Sequence, residues 1–344
     1  MAIIDEAISS ILEGKVKTKG KGRKAPYKPA SNNRATIRLI ANKAPEVMTK
    51  ITGFSKGANN IAPHILYISR EGELELESDR GIVFNGKDEV EYAYSKWVDD
   101  LNNFPAEGKK PSREVMHLML SMPEGTNADK VKDAARNFAK KTFSENHEYL
   151  FALHTDTSHP HVHLAVKMLG HDQSRLNPRK ADLQAWREGF AMELRNVGVR
   201  AVASNRRTRG VTKKATHGAV WHIDKGDKSH KKRVAQVTAL QMKEAIDDLV
   251  SKNTKIPEAD KPWNKAIKQR QETVKGLYVT AIKELEKKGR PEDKELAKDL
   301  RKISENIPKE IVTQHIENMK KAEELASSKN VRVSTKTKGS SAER

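Results

Sequence analysis

The chain has 344 residues, enough for one domain of ordinary size and a substantial extension. Its 65 lysines and arginines outnumber 46 aspartates and glutamates, and the formal net charge of +19 indicates a polyanionic partner, nucleic acid rather than a membrane surface. The absence of cysteine excludes thiol catalysis, thiolate metal sites and disulfides, and it fits a reducing cytoplasm.

Residues 1–36 are predicted to form a basic arm. A short stripe of apolar residues at helical spacing opens it, and no basic region precedes that stripe, so a secretory signal peptide is not expected. Lysine and arginine are then interspersed with Gly, Pro, Ser and Asn up to Arg34, a composition typical of a solvated tail or of a segment that grips phosphates. No run of about 18 apolar residues occurs in the chain, so no transmembrane helix is expected.

A short helix is predicted near residues 61–68, where three side chains share one apolar side: Ile61, Ile65 and Ile68. Tyr67 lies in this segment. With no cysteine in the chain, an attacking group must be water, a serine or threonine hydroxyl, or a tyrosine. From the residues alone, Tyr67 is either a half-buried core tyrosine or a nucleophile, and its neighbours Ser69 and Arg70 are suited to phosphate contact.

Residues 37–212 are predicted to form one α+β domain. A buried strand runs from Val115 to Met122, and Asn127 caps the helix that follows. A second helix begins near Ala181 and stops at Gly198. Strand, helix, hairpin and helix around a small sheet favour an α+β layer structure over a doubly wound parallel sheet.

The strongest chemical signal is a cluster of histidines, since six of the twelve lie between positions 147 and 171. Two apolar runs, 149–153 and 162–168, flank a short polar segment and predict a β-hairpin. In an antiparallel hairpin with a loop of about six residues, His154 faces His161. Side chains alternate along a strand, so His161 and His163 share that face, while His159 falls in the loop and is the weakest ligand candidate.

Three neutral imidazoles on one face predict a site for a divalent metal. Imidazole suits Mn, Co, Ni and Zn, whereas Mg prefers oxygen ligands. A metal with open positions beside a basic groove can polarise a phosphodiester as a Lewis acid. Asp156 is either an acceptor that orients a ligand imidazole or a cap of the turn.

The C-terminal part of the chain is basic and then helical. From Asn205 to Arg233, ten lysines and arginines stand against two aspartates, and residues 213–236 are predicted to be a basic linker. Residues 237–327 have helical periodicity and form either a charged solvated extension or a docking surface for a partner. Residues 328–344 are predicted to be a disordered tail.

Three stretches resemble motifs of the MOBP class of plasmid relaxases, in the HUH endonuclease superfamily, which includes the relaxase of agrobacterial T-DNA transfer. The stretch APHILYISREGELELESDRG is similar to the first motif and contains Tyr67. VMHLMLSMPEGTNADKVKDAARNFA resembles the strand and helix before the histidines. The pattern of His154, Asp156, Pro160, His161 and His163 is similar to the third motif. The resemblance covers roughly residues 50–210.

This resemblance implies a relaxase domain with a central antiparallel sheet that nicks one DNA strand at a plasmid origin of transfer and later rejoins it. Tyr67 is then the nucleophile that forms a 5′-phosphotyrosine, and Mg²⁺ or Mn²⁺ is held by the three histidines. Glu114 and Asp156 are the carboxylates expected to assist. Contacts to DNA are expected from Ser69, Arg70, Arg206, Arg207, Arg209, Lys213 and Lys214.

The same resemblance implies partners: single-stranded and supercoiled plasmid DNA at the origin of transfer, a relaxosome accessory protein, and a type IV secretion coupling protein. It implies a bacterial cytoplasmic location, with export to a recipient cell attached to DNA. Two rival functions remain open. A replication-initiation or transposition nuclease of the HUH superfamily usually carries its tyrosine after the histidines, and a non-catalytic DNA-binding accessory protein needs no working metal site.

Overall fold

The computed structural model describes residues 33–103, 112–206, 208–213, 216–226, 231–250, 261–308 and 313–337. Contacts divide the chain into two units with a boundary after Ser204. The first unit holds a sheet with helices on both faces, and the second is helical. Residues 1–32, most of the predicted basic arm, lie outside the described residues.

The first unit is built on a six-stranded sheet in the order β1-β4-β6-β5-β2-β3, in which every pair of neighbours is antiparallel. This confirms the predicted α+β class with a central antiparallel sheet. Its strands are β1 (Met48–Lys56), β2 (Leu76–Ser78), β3 (Val83–Phe84), β4 (Arg113–Ser121), β5 (Tyr149–His154) and β6 (His161–Lys167). Its helices are α1 (Asn33–Ala41), α2 (Ile61–Ile68), α3 (Lys87–Asn103), α4 (Ala128–Phe143) and α5 (Lys180–Asn196).

One face of the sheet packs against α4 and α5. Alternate residues of the central strands point to this side and join one core cluster, among them Leu118, Phe151 and Leu164. The helices contribute aromatic rings that meet edge to face, including Phe143 and Trp186 at 5.3 Å between centroids. Because this face is filled by large apolar side chains, polar chemistry is confined to the other face and to the strand ends.

The opposite face is covered by α2 and α3. The predicted apolar side of α2 is confirmed, since Ile61, Ile65 and Ile68 are at most 1% exposed and pack against residues of β5 and β6. Burying each isoleucine contributes roughly 1.5–3 kcal/mol, which fixes α2 on the sheet. The outward side of the helix is thereby fixed as well, and Tyr67 lies on it, 53% exposed.

Helix α4 begins and packs as its sequence predicts. The Asn127 side chain accepts a hydrogen bond from the backbone N–H of Lys130 at 2.9 Å, which satisfies one of the free donors of the first turn. The apolar stripe of this helix is buried in full: Val131, Ala134, Ala135, Phe138 and Ala139. Helix α5 ends just before Gly198, whose φ of +79° is a conformation that favours glycine.

The second unit contains α6 (Gly218–Lys225), α7 (Gln236–Val250), α8 (Pro262–Lys288), α9 (Pro291–Glu305) and α10 (Gln314–Thr337). This confirms the helical C-terminal region. Helix α8 packs on α9, and α7 packs on α10. The buried hydroxyl of Tyr278 donates to the Thr208 carbonyl at 3.1 Å. This hydrogen bond joins α8 to the beginning of the basic stretch from Asn205 to Arg233.

The predicted boundaries of the regions remain predictions. The stretch proposed as a basic linker includes α6, and the proposed disordered tail overlaps the last residues of α10, while residues 338–344 lie outside the described part. Within the described residues, no helix is both long enough and apolar enough to cross a membrane.

Candidate active site

Three imidazoles meet on the sheet face that α2 covers. The register of the β5–β6 hairpin places His154 directly opposite His161, as predicted. His163 lies two residues further along β6 and therefore on the same face. Ring centroids are 4.6 Å apart for His154 and His163 and 5.1 Å apart for His161 and His163. One nitrogen from each ring lies within 4.8 Å of the others, a spacing that suits a shared metal ion.

Backbone carbonyls fix which nitrogen of two of these rings carries the lone pair. His154 donates from Nε2 to the Ile68 carbonyl at 2.7 Å, so its lone pair is on Nδ1, which the Arg70 guanidinium contacts at 3.4 Å. His161 donates from Nδ1 to the His159 carbonyl at 2.9 Å, which leaves Nε2 available. Such outer hydrogen bonds orient metal-binding imidazoles in proteins. The donor set therefore fits a divalent transition metal.

Burial disfavours the protonated form of two of the three imidazoles. Desolvation lowers the pKa of His163 to about 3, with smaller contributions from His154 and His161. Desolvation also lowers the pKa of His154. At neutral pH both rings are therefore neutral, and each keeps one nitrogen with a lone pair, which is the form that binds metal.

Tyr67 lies at the C-terminal end of α2, beside the three imidazoles. Its ring centroid is 5.9 Å from that of His163 and 6.4 Å from that of His154. Its exposure is that of a surface group, so the structure does not bear out the half-buried core tyrosine left open above. A solvent-accessible phenol beside three imidazoles can attack a substrate that reaches the metal position.

Arg70 joins the tyrosine to the histidines. Its guanidinium carbon lies 5.2 Å from the centroid of the Tyr67 ring, and its Nη2 contacts His154 Nδ1 at 3.4 Å and pairs with the carboxylate of Asp156. The turn that brings it there is unusual, because Arg70 and Glu71 both have left-handed φ values of +52° and +56°. Such residues cost on the order of 1–3 kcal/mol each and cluster at functional sites.

Gly72 completes that turn. Its φ is +94°, and a Cβ at this position would lie 2.4 Å from the backbone carbon of Gly86, so no larger residue fits. The chain after α2 therefore reverses tightly, and Arg70 lies against the Tyr67 ring.

The structure shows neither of the two roles predicted for Asp156. Among the described contacts its carboxylate pairs with Arg70, and none of them is a hydrogen bond to an imidazole or a cap of the turn. Asp156 is therefore linked to the cluster through Arg70, which contacts both Asp156 and His154. His159 lies exposed in the loop, as predicted, with its ring bonded to Ser158, and only its carbonyl serves the site.

Two other predicted residues are not brought to the site. Ser69 is 0% exposed and its hydroxyl donates to the Leu66 carbonyl at 3.2 Å, so it cannot contact DNA as predicted. Glu114 lies at the opposite end of β4, opposite Met168, which is about 16 Å along β6 from His163. Its buried carboxylate accepts from Ser112 and, at 3.1 Å, from Arg175. Glu114 therefore has no place beside the reacting groups.

Two of the basic residues predicted to contact DNA have partners within the second unit. Arg206 donates to the Lys213 carbonyl at 2.7 Å, and the Lys213 ammonium pairs with Glu317. Arg209 also has an interaction within the described structure. Arg207 and Lys214 lie outside the described residues. DNA contact by these residues stays a prediction.

The sequence did not predict two further imidazoles: His64, whose ring lies 6.5 Å from that of Tyr67, and His117, which stacks on His64. His64 precedes Tyr67 by one helical turn, and its ring stacks on that of His117 from β4. The three-residue spacing from Tyr67 could have pointed to His64, because residues three apart are neighbours on a helix. The stacking on a strand some fifty residues away carries no local signal.

Comparison with known proteins matches this part of the chain to one family. Residues 67–196 match the relaxase family described as MobA/VirD2-like, nuclease domain. The T-DNA border endonuclease VirD2 of Agrobacterium fabrum is 28% identical over 177 residues, covering 47% of this chain and 40% of that protein. VirD2 of Rhizobium rhizogenes is 28% identical over 174 residues, covering 46% and 40%. VirD2 of Rhizobium radiobacter is 26% identical over 179 residues, covering 47% and 42%.

These matches confirm the resemblance to relaxases that the three motifs indicate. The matched stretch begins at the exposed tyrosine and ends with the last residue of α5, so it includes the whole histidine hairpin. The chain spans about two fifths of the length of the curated relatives it matches.

Proposed function

We propose that this protein is a relaxase: it nicks one DNA strand at a plasmid origin of transfer through Tyr67 and rejoins the strand at the end of transfer. One observation carries the proposal. The exposed Tyr67 ring lies 5.9 Å from a ring of the three-imidazole cluster, within a stretch similar to relaxase nuclease domains. The tyrosine precedes the histidines in the chain, an order that favours a relaxase over replication and transposition nucleases.

The first step is transfer of a phosphoryl group to the tyrosine. The Tyr67 oxygen attacks the phosphorus, the bond from phosphorus to the 3′ oxygen breaks, and a 5′-phosphotyrosine forms. The phenol loses its proton and the departing 3′ oxygen gains one, so no proton is consumed overall. One phosphodiester replaces another, and reversal therefore rejoins the strand without an external source of energy.

The residues around Tyr67 have distinct tasks in this step. His154, His161 and His163 would hold a divalent ion, Mn²⁺ or Mg²⁺; when bound, that ion neutralises charge on the non-bridging oxygens. The imidazole set suits Mn²⁺ better than Mg²⁺. The Arg70 guanidinium lies between Tyr67 and His154 and supplies a fixed positive charge for the same phosphate. Asp156 holds that guanidinium in place.

The bound substrate is proposed to be single-stranded DNA at a transfer origin, with supercoiled plasmid as its source. The charge of +19 supplies an attraction to phosphates that weakens steeply with salt. From the similarity to relaxases, we also propose a relaxosome accessory protein and a type IV secretion coupling protein as partners. The same similarity is the reason for proposing a cytoplasmic location and export attached to DNA.

The test is formation of a covalent adduct. The protein is incubated with Mn²⁺ and end-labelled single-stranded oligonucleotides that tile the origin strand, then denatured and separated by electrophoresis. We expect a DNA-linked protein band for the wild type and none for Tyr67→Phe. Tyr92→Phe, which removes another exposed tyrosine, is the matched control and should retain the band. A wild-type protein that binds these oligonucleotides without forming the band would support the non-catalytic accessory function instead.

A further inference from the structure

The pair formed by His64 and His117 has no task in the mechanism above. Their ring centroids are 3.3 Å apart and their planes differ by 10°, so the rings lie face to face. The His64 ring is also 6.5 Å from the Tyr67 ring, at an angle of 22° between planes. His64 is therefore a fourth imidazole beside the tyrosine, on the same helix.

His117 is fixed by hydrogen bonding and packing. The Ser55 hydroxyl donates its one hydrogen to the Asn60 carbonyl at 2.7 Å and lies 2.8 Å from His117 Nε2. The hydrogen between Ser55 and His117 therefore belongs to the ring, and Nε2 donates. Gly53 lets β1 approach the other ring nitrogen, since a Cβ there would lie 3.2 Å from it. His117 is thus a rigid platform for the His64 ring.

His64 has a buried nitrogen without a partner. Among the described residues, its Nε2 makes no hydrogen bond although it is inaccessible to solvent. Leaving such an atom unsatisfied costs roughly 1–3 kcal/mol, so a structure that keeps it calls for an explanation. Burial lowers the pKa of His64 to about 3, with further contributions from His117 and His163, so the ring is neutral. The tautomer that carries the hydrogen on Nδ1 offers Nε2 as an acceptor.

We propose that His64 is a positioning residue whose Nε2 accepts a hydrogen bond from the Tyr67 hydroxyl when DNA is bound, and so aims the phenol oxygen at the phosphate. The donor lies one helical turn from the acceptor on the same helix. Because the pKa of the His64 ring is so low, the ring accepts this hydrogen bond without removing the proton from the hydroxyl. His64 thus differs from a general base, which needs a pKa near the working pH. The inference rests on the proposed function, because it requires Tyr67 as the nucleophile.

Two substitutions separate the hydrogen bond from the packing. His64→Phe keeps a flat ring on His117 but removes the acceptor, whereas His64→Gln keeps an oxygen near the Nε2 position. We expect the single-turnover rate constant for adduct formation, at saturating oligonucleotide, to fall about 10- to 100-fold in His64→Phe. It should return to within about threefold of wild type in His64→Gln. His171→Phe, at an exposed histidine outside the cluster, should match the wild type.

Three results would overturn the inference: wild-type cleavage by His64→Phe, an equal loss in His64→Gln, or a wild-type to His64→Phe ratio that changes between pH 6 and 9. A changing ratio would make His64 a general base. If His64→Phe fails to fold, ¹⁵N-histidine NMR of the metal-free complex with oligonucleotide decides. The His64 Nε2 resonance should then shift between wild type and Tyr67→Phe, and an unchanged resonance refutes the hydrogen bond. Adduct formation by wild type and its loss in Tyr67→Phe judge the proposed function separately.

Discussion

Binding of Mn²⁺ to the three imidazoles should raise the thermal stability of the first unit by a predictable amount. A ligand that binds only the folded state at 100 times its dissociation constant stabilises that state by about 2.7 kcal/mol. For a domain of this size class, each kcal/mol shifts the unfolding midpoint by roughly 2–4 °C. We therefore expect a rise of about 5–11 °C, measured by differential scanning calorimetry at pH 7.5.

Removing one ligand should abolish most of that rise. In His163→Ala, loss of a ligand atom that lies within 4.8 Å of the other two should weaken binding about 100-fold. The same Mn²⁺ concentration then equals the dissociation constant, and the stabilisation falls to about 0.4 kcal/mol, or 1–2 °C. Each variant is compared with its own metal-free form.

His159→Ala is the matched control for this experiment. Its ring bonds only to Ser158 among the described contacts, whereas the carbonyl that orients His161 belongs to the main chain and survives the substitution. This variant should keep the full Mn²⁺-induced rise. The reasoning is refuted if His163→Ala gains as much stability from Mn²⁺ as the wild type, or if His159→Ala gains none.

Three other outcomes follow from the same geometry. Arg70→Ala should lower the single-turnover rate constant about 100-fold, as loss of a charge aimed at the phosphate does, and a loss under threefold would contradict that role. Glu114→Gln should cost about 1.5–3 kcal/mol in urea unfolding yet leave the rate constant unchanged; a tenfold slower nick would return Glu114 to the catalytic groups. Without metal, stability should fall as the pH drops below 6.5 by up to about 1.4 kcal/mol per unit for each buried imidazole, because the unfolded chain then binds protons that the folded chain refuses. The imidazoles with pKa values of about 3 or 4 are those of His64, His117 and His163. Urea unfolding between pH 7.5 and 5 measures this slope, and a flat profile would contradict it.

The elements that could be predicted are those set by neighbouring residues. The hairpin follows from two apolar runs around a polar loop, and period-two alternation then places His161 and His163 on one face. The isoleucine spacing of α2 similarly fixes which side of that helix is buried. Such patterns need no knowledge of the rest of the chain, and the structure agrees with them.

The parts of the site that could not be predicted depend on contacts between distant segments. Arg70 meets Asp156 across 86 positions of the chain, and His64 on α2 meets His117 on β4. Burial also excluded a residue that looked suitable from its type alone. Ser69 follows α2 directly, and its hydroxyl donates to the Leu66 carbonyl of that helix instead of facing solvent. A sequence motif shows which residue types are near one another in the chain, but not which of their atoms stay free.

The hydrogen bond from His154 to the Ile68 carbonyl should make metal affinity depend on how firmly α2 packs on the sheet. Ile68 is the last residue of α2, and its carbonyl selects which nitrogen of His154 carries the hydrogen. If a metal binds these imidazoles, a substitution that loosens α2 from the sheet should weaken metal binding and displace Tyr67 together, because this hydrogen bond joins the helix to a candidate ligand.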